Sequence, residues 1–243
     1  MSKRTGGAAR TPALAGTIMA EAMSNVRTDF DRLALLAGGE WDHSSHYHDF
    51  LLRHVPSHCR ESLEVGCGAG AFSRLLAESS ERVLAIDLSP NMVRVAGEGS
   101  ARFPNIEFRV ADVMEMELPT ERFDCIATIA TLHHLPAESA LPKLKRALKA
   151  GGVLLVLDLF QPEGLLDAAA NALALPLSLG LRLVRHGRPL PPRRVRRAWA
   201  EHGRRDTYLT LSRLREVCAE MLPGAVVTRH LLWRYSVVWK KAA

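Results

Sequence analysis

The sequence predicts an α/β fold in which helices cover both faces of a doubly wound, mostly parallel β-sheet. Between residues 61 and 160, apolar runs of strand length alternate with segments of helical pattern. Several of these runs end in an acidic residue, and the first passes into a loop containing Gly66, Gly68 and Gly70. Glycine is needed where a backbone turns tightly or approaches a ligand closely. Such a loop after the first strand is typical of ligand sites in doubly wound sheets.

The first apolar run ends in Leu63-Glu64-Val65, directly before the glycine loop. With Ala71 in the last place, the glycine spacing also matches the relaxed dinucleotide fingerprint G-x-G-x-x-G/A. Glu64 favours a different ligand, because its carboxylate can meet a cationic amine but would repel a pyrophosphate. The loop therefore favours a positively charged ligand over a nicotinamide dinucleotide.

Residues with hydrogen-bonding side chains also follow the later apolar runs. The second, third and fifth runs end in Asp87, Asp112 and Asp158, and Leu132-His133-His134-Leu135 follows the fourth, Phe123–Ile129. A carboxylate at the second strand end can accept both hydroxyls of a ribose, and one at the third can accept from an adenine amino group. A single glycine loop is a weak signal, whereas an ordered series at successive strand ends is specific.

This series resembles the class I S-adenosylmethionine-dependent methyltransferases, especially the small-molecule branch with Leu-His-His-Leu after the fourth strand. The resemblance covers residues 55–160 well and the C-terminal segment loosely. It implies a Rossmann-like sheet of seven strands, mostly parallel, with one antiparallel strand in a closing hairpin over residues 225–239. It also implies S-adenosylmethionine as the cofactor, which carries both an ammonium and a sulfonium group.

Helices are predicted between the strands from hydrophobic pattern and capping residues. The first follows the glycine loop over residues 72–78. The second begins with Ser89 as its N-cap and Pro90 in the first helical position. Two more are expected over residues 137–148 and 211–221.

The resemblance assigns cofactor contacts to matching positions of this chain. Glu64 and the glycine-loop backbone are expected at the methionine end, Asp87 at the ribose and Asp112 at the adenine. The two aspartates have structural alternatives, because Asp87 can cap the helix at Ser89 and Asp112 the turn before Met114. The full expected set is Glu64, Gly66, Cys67, Gly68, Gly70, Asp87, Leu88, Ala111, Asp112, Val113, Thr128, Ile129 and His46.

Three residues are candidates for a catalytic role. Methyl transfer from a sulfonium is an in-line displacement, so the protein mainly aligns the reacting atoms and excludes water. A base is useful only when the acceptor arrives protonated. His133 and His134 follow the fourth strand at the cleft mouth, and Tyr47 lies in the segment that covers the cleft in the resembled family. The alternative for the histidines is structural, with one packing or capping and the other bonding a carbonyl.

A metal site is not expected. Asp42, His46 and Asp49 fall on one helical face at i, i+4 and i+7. They form no compact transition-metal motif, however, and the reaction requires no metal.

The chain divides into a core and an added segment. Residues 1–28 are predicted to be a flexible tail, and residues 29–160 with 206–243 the methyltransferase domain, in which 29–55 form cap helices. Residues 161–205 exceed an ordinary connection and are interpreted as an inserted substrate lid. Its apolar helical pattern is expected to break at Pro176.

The arginines of this lid bear on the choice of partner. The formal net charge is +6, and arginines are dense between Arg182 and Arg205. Residues 165–205 can therefore contact an anionic or membrane surface, or simply form a solvated face. Methylation of nucleic acid is disfavoured, because no Asn-Pro-Pro-Tyr or Asp-Pro-Pro-Tyr follows the fourth strand and no Pro-Cys pair is present. The oligomeric state stays open.

The residues therefore predict methyl transfer to a small, largely apolar metabolite through an oxygen, nitrogen or carbon atom. One alternative is a lipid or quinone acceptor at a membrane surface; others are a non-catalytic cofactor-binding protein and an NAD-dependent oxidoreductase. Four cysteines without a C-x-x-C pair indicate a reduced, cytoplasmic location.

Overall fold

A computed structural model of the protein describes residues 12–37 and 43–242. It contains one seven-stranded sheet with the spatial order β3-β2-β1-β4-β5-β7-β6. Only β7 runs antiparallel to its neighbours, β5 and β6. The predicted fold class is therefore confirmed. The strands are β1 Cys59–Val65, β2 Ser80–Asp87, β3 Ile106–Val110, β4 Phe123–Ile129, β5 Leu148–Leu159, β6 Val226–Arg229 and β7 Arg234–Lys240.

Helices cover both faces of this sheet, because the strand side chains alternate between two apolar clusters. Leu63 and Val65 of β1 lie in the cluster that includes Leu144 and Leu214. On the opposite face, the strands pack against Phe72 and its neighbours. Within the described ranges, no helix is both long and apolar enough to span a bilayer. The helices are α1 Pro12–Ala37, α2 His48–Leu52, α3 Ala71–Ser79, α4 Pro90–Glu98, α5 Ala137–Ala147, α6 Gly164–His186, α7 Arg193–His202 and α8 Leu211–Met221.

The strand order reverses beside β1, which pairs with β2 on one side and β4 on the other. Connections that leave neighbouring strands in opposite directions open a crevice at the carboxyl ends of those strands. The glycine loop, Asp87 and the segment after β4 all lie at this edge, so the topology brings the predicted site residues together.

The N-terminal helix α1 is fastened to this edge through Ser89, the predicted N-cap of α4. Its hydroxyl accepts from Met92 N at 3.0 Å and donates to Asp31 Oδ1 at 2.6 Å. Pro90 occupies the first turn, as predicted. Asp31 also accepts from Asn91 N at 3.1 Å. One capping residue therefore stabilises α4 and holds α1 over the crevice.

The predicted tail boundary at residue 28 is wrong from residue 12 onward, because α1 occupies Pro12–Ala37. Residues 1–11 lie outside the described part. The sequence of α1 is rich in alanine, the residue of highest helix propensity. Its Leu33 and Ala34 pack with Met92 and Ala198, a contact between distant segments that the local pattern does not show. In the described part of the cap beyond α1, a 3-10 turn over Ser44–Tyr47 leads into α2.

The expected break at Pro176 is also absent, since α6 runs continuously from Gly164 to His186. Proline removes one backbone donor, which leaves the carbonyl four residues earlier without its helical partner. Both Pro176 and Ala172 are exposed, so water can satisfy that carbonyl.

The two ends of segment 161–205 meet. Gln161 N donates to Leu209 O at 2.9 Å, and Gln161 forms a bridge with Thr210. The segment therefore leaves and rejoins the domain at one place. Its second helix packs on α1, where Phe30 lies edge-on to His202 with 4.8 Å between ring centroids.

Replacing Ser89 with alanine is expected to lower the free energy of unfolding by about 1–2 kcal/mol, because a helix cap and a buried hydrogen bond are both lost. Urea unfolding measures this change, and hydrogen exchange should show faster opening of α1. Thr210→Ala is the matched control, since Thr210 caps α8 by accepting from Arg213 N and has no bond to α1. Equal exchange of α1 in both variants would contradict the proposed link.

Candidate active site

A cavity of about 620 Å³ opens at the carboxyl ends of β1, β2 and β4. Its volume lies within the roughly 300–1,000 Å³ typical of small-molecule sites. The floor is formed by the glycine loop and the strand ends, and the roof by α1 and α7. Roof residues that line the cavity are Val26, Phe30, Leu33, Val195, Trp199 and His202.

The glycine loop has no room for a side chain at Gly66, whereas Gly68 faces open space. Gly66 has φ +74°, and a Cβ there would lie 2.1 Å from Thr131 Oγ1. Gly68 has φ +51° and faces open space, with no heavy atom within 4 Å of a Cβ built there. The backbone of this loop therefore lines the cavity without a side chain in between.

Asp87 holds the glycine loop in place from the end of β2. Its Oδ2 accepts from Gly68 N and its Oδ1 from Ser89 N, each at 2.9 Å. Burial raises the pKa of this carboxyl, while these backbone donors lower it. Asp87 does bond the backbone at the start of α4, as the capping alternative predicts, but the N-cap residue of α4 is Ser89. Asp87 also lines the cavity, and a carboxylate with about four acceptor positions keeps some for a ligand.

Asp112, which follows β3, likewise bonds the protein backbone and lines the cavity. Its Oδ1 accepts from Met114 N at 2.7 Å, so the turn-capping alternative holds for that oxygen. The residue nevertheless lines the cavity, together with Leu88, Ala111 and Val113. These four surround the part of the crevice between β2 and β3.

Glu64 is the buried acid of the pocket, with 2 % of its surface exposed. Burial raises the pKa of its carboxyl to about 8; the hydroxyl of Ser73, which donates to it, opposes this rise, and the charge of Asp87 adds to it. At neutral pH the ligand-free carboxyl is therefore mostly protonated. A cation placed beside it would restore the negative charge, so the chemistry of this position fits a cationic ligand.

His133 lines the cavity, and the fully buried Asp158 holds it from behind. Asp158 accepts from His133 N at 2.9 Å and lies 2.7 Å from His133 Nδ1. Burial would lower the pKa of His133, but the carboxylates of Asp158 and Asp206 outweigh it and raise the pKa. The Nε2 atom lies 4.0 Å from Asp206, which accepts from the hydroxyl of Tyr208 at 2.9 Å.

His134 differs from its neighbour in its electrostatics. Burial and the nearby imidazoles of His133 and His202 lower its pKa to about 3. It therefore stays neutral at physiological pH and is a weak base. The ring packs on Phe30 with 5.8 Å between centroids, so its clearest role is to line the roof.

The described residues include a group with the spacing of a cation site. One ligand atom from each of His133, His134 and Asp206 lies within 4.8 Å of the others. Of the three residues considered from the sequence, His46 and Asp49 are not part of it, and Asp42 lies outside the described residues. Two members of this group already bond other side chains: His133 bonds Asp158, and Asp206 accepts from Tyr208.

Four sequence-predicted site residues do not line the cavity. The Tyr47 hydroxyl donates to Leu231 O at 2.7 Å, a bond that fastens the cap to the segment before β7. His46 is exposed and contacts the Tyr47 ring. Thr128 is fully buried inside β4. Gly70 is the N-cap residue of α3, and a Cβ there would lie 3.0 Å from Ala96 and 3.1 Å from Phe108, so its lack of a side chain allows close packing.

The remaining predictions lie together at the cavity: Glu64, Gly66, Cys67, Gly68, Asp87, Leu88, Ala111, Asp112, Val113, Ile129, His133 and His134. Sequence reasoning missed His202, Asp206, Tyr208 and Arg234, which line the cavity far along the chain from any motif. Asp158 could have been identified as a candidate site residue from the sequence, because it lies at the end of β5 as Asp87 lies at the end of β2.

Comparisons with known proteins agree with this geometry. A methyltransferase domain family matches residues 63–156. Uncharacterized methyltransferases of Mycobacterium bovis and Mycobacterium tuberculosis are 31% identical over 204 residues, covering 82% of this chain and 96% of theirs. The N-methyltransferase NodS of Bradyrhizobium japonicum, solved with S-adenosyl-L-homocysteine, has a TM-score of 0.62 at 18% identity, covering 90% of this chain and all of its own, which shows the shared fold.

A partial relative is the ubiquinone biosynthesis O-methyltransferase of Xylella fastidiosa, 30% identical over 144 residues and covering 54% of this chain and 58% of its own. Fold and site define an S-adenosylmethionine-dependent methyltransferase. The chain belongs to the family that contains the two mycobacterial methyltransferases.

The high pKa of Glu64 predicts a pH-dependent stability of the ligand-free protein. Its pKa is about 8 in the folded chain against an ordinary 4.5, so its stabilising contribution is complete below pH 4.5 and is lost as the pH rises through about 8. Urea unfolding from pH 6 to 9 should show this loss in the native chain and not in Glu64→Gln. Exposed Glu117→Gln is the control. Parallel pH curves for the native chain and Glu64→Gln would show that Glu64 carries no raised pKa.

Proposed function

We propose that the protein transfers the methyl group of S-adenosylmethionine to a small, largely apolar acceptor, with His133 accepting the proton of that acceptor. The observation that carries the proposal is a single cavity that joins the glycine loop to the His133–Asp158 pair beneath α1 and α7. A cofactor end and a base therefore share one enclosed space.

The glycine-loop end would hold the cofactor. Glu64 would pair with the ammonium group, the backbone of residues 66–68 would follow the methionine part beside Ile129, and Asp87 would accept from the ribose hydroxyls. Leu88 and residues 111–113 would surround the adenine. The cofactor supplies a methyl group on a sulfonium that is already an activated leaving group. All these residues line the same cavity, which supports the assignment.

The roof residues favour an apolar acceptor. Phe30 and Trp199 lie edge-on to each other at 6.1 Å between centroids, and Pro191 and Val195 complete this side. An apolar roof excludes water, which would otherwise compete with the acceptor and weaken electrostatic interactions in the site. The roof belongs mainly to α1 and to segment 161–205, which we interpret as the substrate lid.

At the acceptor end, Asp158 would orient the His133 ring by holding Nδ1, which leaves Nε2 for the acceptor. When Nε2 takes the proton of a hydroxyl, the ring becomes an imidazolium and the Asp158 carboxylate stabilises it. The deprotonated oxygen would then be the nucleophile for the methyl group of the cofactor, which would leave as a neutral thioether when its carbon–sulfur bond breaks. His134 would contribute shape rather than proton transfer.

We assign the protein to the cytoplasm; its four cysteines are buried and free.

Asp158→Asn is expected to lower the rate of methyl transfer by about 10²-fold, the lower end for general base catalysis, because the ring loses its orientation. A phenol that proves active in a screen of acceptors serves as the substrate. The pH–rate profile for its methylation should shift to lower pH in the variant, because the carboxylate that raises the His133 pKa is gone. A histidine NMR titration measures the same pKa without an acceptor.

Tyr47→Phe serves as the control for this experiment, because its hydroxyl bonds a carbonyl outside the cavity. It should cost some stability and leave the pH profile unchanged. If Asp158→Asn keeps the native rate and profile, His133 is not the base.

A second candidate acceptor is a lipid or quinone. Exposed leucines along α6 favour it, and the partial relative from Xylella fastidiosa is named for ubiquinone biosynthesis. A series of hydroquinones with the same ring and increasing prenyl length decides between the candidates. For a lipid acceptor, kcat/KM should rise with tail length in the presence of vesicles. A constant or falling kcat/KM favours the small soluble acceptor.

A further inference from the structure

The outward face of α6 consists entirely of apolar residues over more than three turns. Between residues 172 and 184, about 20 Å of helix, no exposed side chain carries a charge. Val184 is 85 % exposed and Leu173 63 %. Monomeric soluble proteins rarely leave so large an apolar surface uncovered. The exposed residues are Ala172, Leu173, Leu175, Pro176, Leu177, Gly180, Leu183 and Val184, here called the α6 face.

The inward side of α6 shows that this orientation is held by specific contacts. Ser178 is buried, with its hydroxyl 2.7 Å from His43 Nε2. Asp167 is buried and pairs with Arg229 of β6 at 2.9 Å. Ala174 is also buried. Among the α6 side chains that the structure describes, the polarity is therefore the reverse of an ordinary surface helix, which buries its apolar side and exposes its polar side.

Positive charge borders the α6 face at its C-terminal end. Arg185, directly after Val184 in the last turn of α6, is exposed, and so are Arg193, Arg194 and Arg196 of the following helix, α7. The acid of this region, Glu201, is already paired with Arg32 at 2.6 Å and Arg197 at 3.1 Å. An apolar helix face beside a group of arginines is the arrangement by which interfacial helices bind anionic bilayers.

We infer that the α6 face and the adjoining arginines form a docking surface for an anionic lipid bilayer. The leucines enter the boundary between headgroups and acyl chains, and the arginines contact the lipid phosphates. A second copy of the chain is a poorer occupant, because a twofold contact through this face would bring the two arginine groups together. The bilayer supplies the complementary charge.

The docking surface is continuous with the cavity. Pro191, Arg196 and Trp199, which follow the α6 face in the chain, line the cavity. Docking would therefore place one opening of the active site beside the bilayer, where apolar acceptors concentrate. The surface goes beyond the proposed function, since lipid binding does not require any particular acceptor.

Co-sedimentation of the full chain with vesicles tests the inference. Vesicles of phosphatidylcholine with phosphatidylglycerol should bind the protein at low salt, pure phosphatidylcholine should bind it much less, and high salt should weaken binding. Leu173→Gln with Val184→Gln should abolish most binding. Arg193→Gln with Arg194→Gln should lower it about 30-fold, from about 1 kcal/mol for each arginine.

Val110→Gln is the matched control, because Val110 is 47 % exposed on β3, at the opposite edge of the sheet from β6, the strand to which α6 is bonded through Arg229. Its binding should equal that of the native chain. Equal urea unfolding midpoints for all variants show that the folds are intact. Equal vesicle binding by the α6 variant and the control would overturn the inference.

A dimer of the native chain that the α6 variant converts to a monomer would also overturn it, because a second copy would then cover the face. Sedimentation velocity measures this. Vesicle binding is scored without any acceptor, so its failure is separate from a failure of methyl transfer. If the protein binds vesicles but transfers no methyl group, the docking surface is supported and the proposed function is contradicted.

Discussion

The hydrogen bonds of the partly buried Asp87 connect the parts of the molecule on which the site depends. One oxygen holds Gly68 of the loop after β1, and the other holds Ser89 at the start of α4. Ser89 in turn bonds Asp31, which fastens α1 over the crevice. The floor and roof of the cavity are thus joined through two side chains, Asp87 and Ser89, at the end of β2 and the start of α4. The cost of burying this acid is offset by backbone donors that also set the shape of the loop.

The two ends of the cavity use carboxylates in opposite ways. Burial and the charge of Asp87 raise the pKa of Glu64 against the opposing effect of the Ser73 hydroxyl, which keeps the carboxyl protonated until a cation arrives. Asp158 lies against His133 and stays ionised, because the imidazole lowers its pKa although burial alone would raise it. One pocket can therefore receive a cationic ligand at one end and a proton at the other. The difference comes from the partners of each acid and not from its burial, which is nearly complete in both.

Particular residues show why some sequence predictions were correct and others wrong. Ser89 and Pro90 act through neighbours in the chain, so their capping role was predictable. The break at Pro176 was wrong, because whether proline interrupts a helix depends on the solvation of a carbonyl one turn away. Tyr47 was placed near the site by resemblance, but its hydroxyl is held by Leu231, 184 residues distant. Contacts at such separations leave no local pattern.

The sequence by itself determined the order of strands and helices, the glycine loop and the acids at the strand ends, because these follow from local periodicity and backbone geometry. Tertiary structure decided which of those residues face the cavity, and it added His202, Asp206, Tyr208 and Arg234. It also decided that α6 presents its leucines outward. The physical reason is that burial and partnership depend on how separate elements pack, and packing joins residues that no spacing along the chain relates.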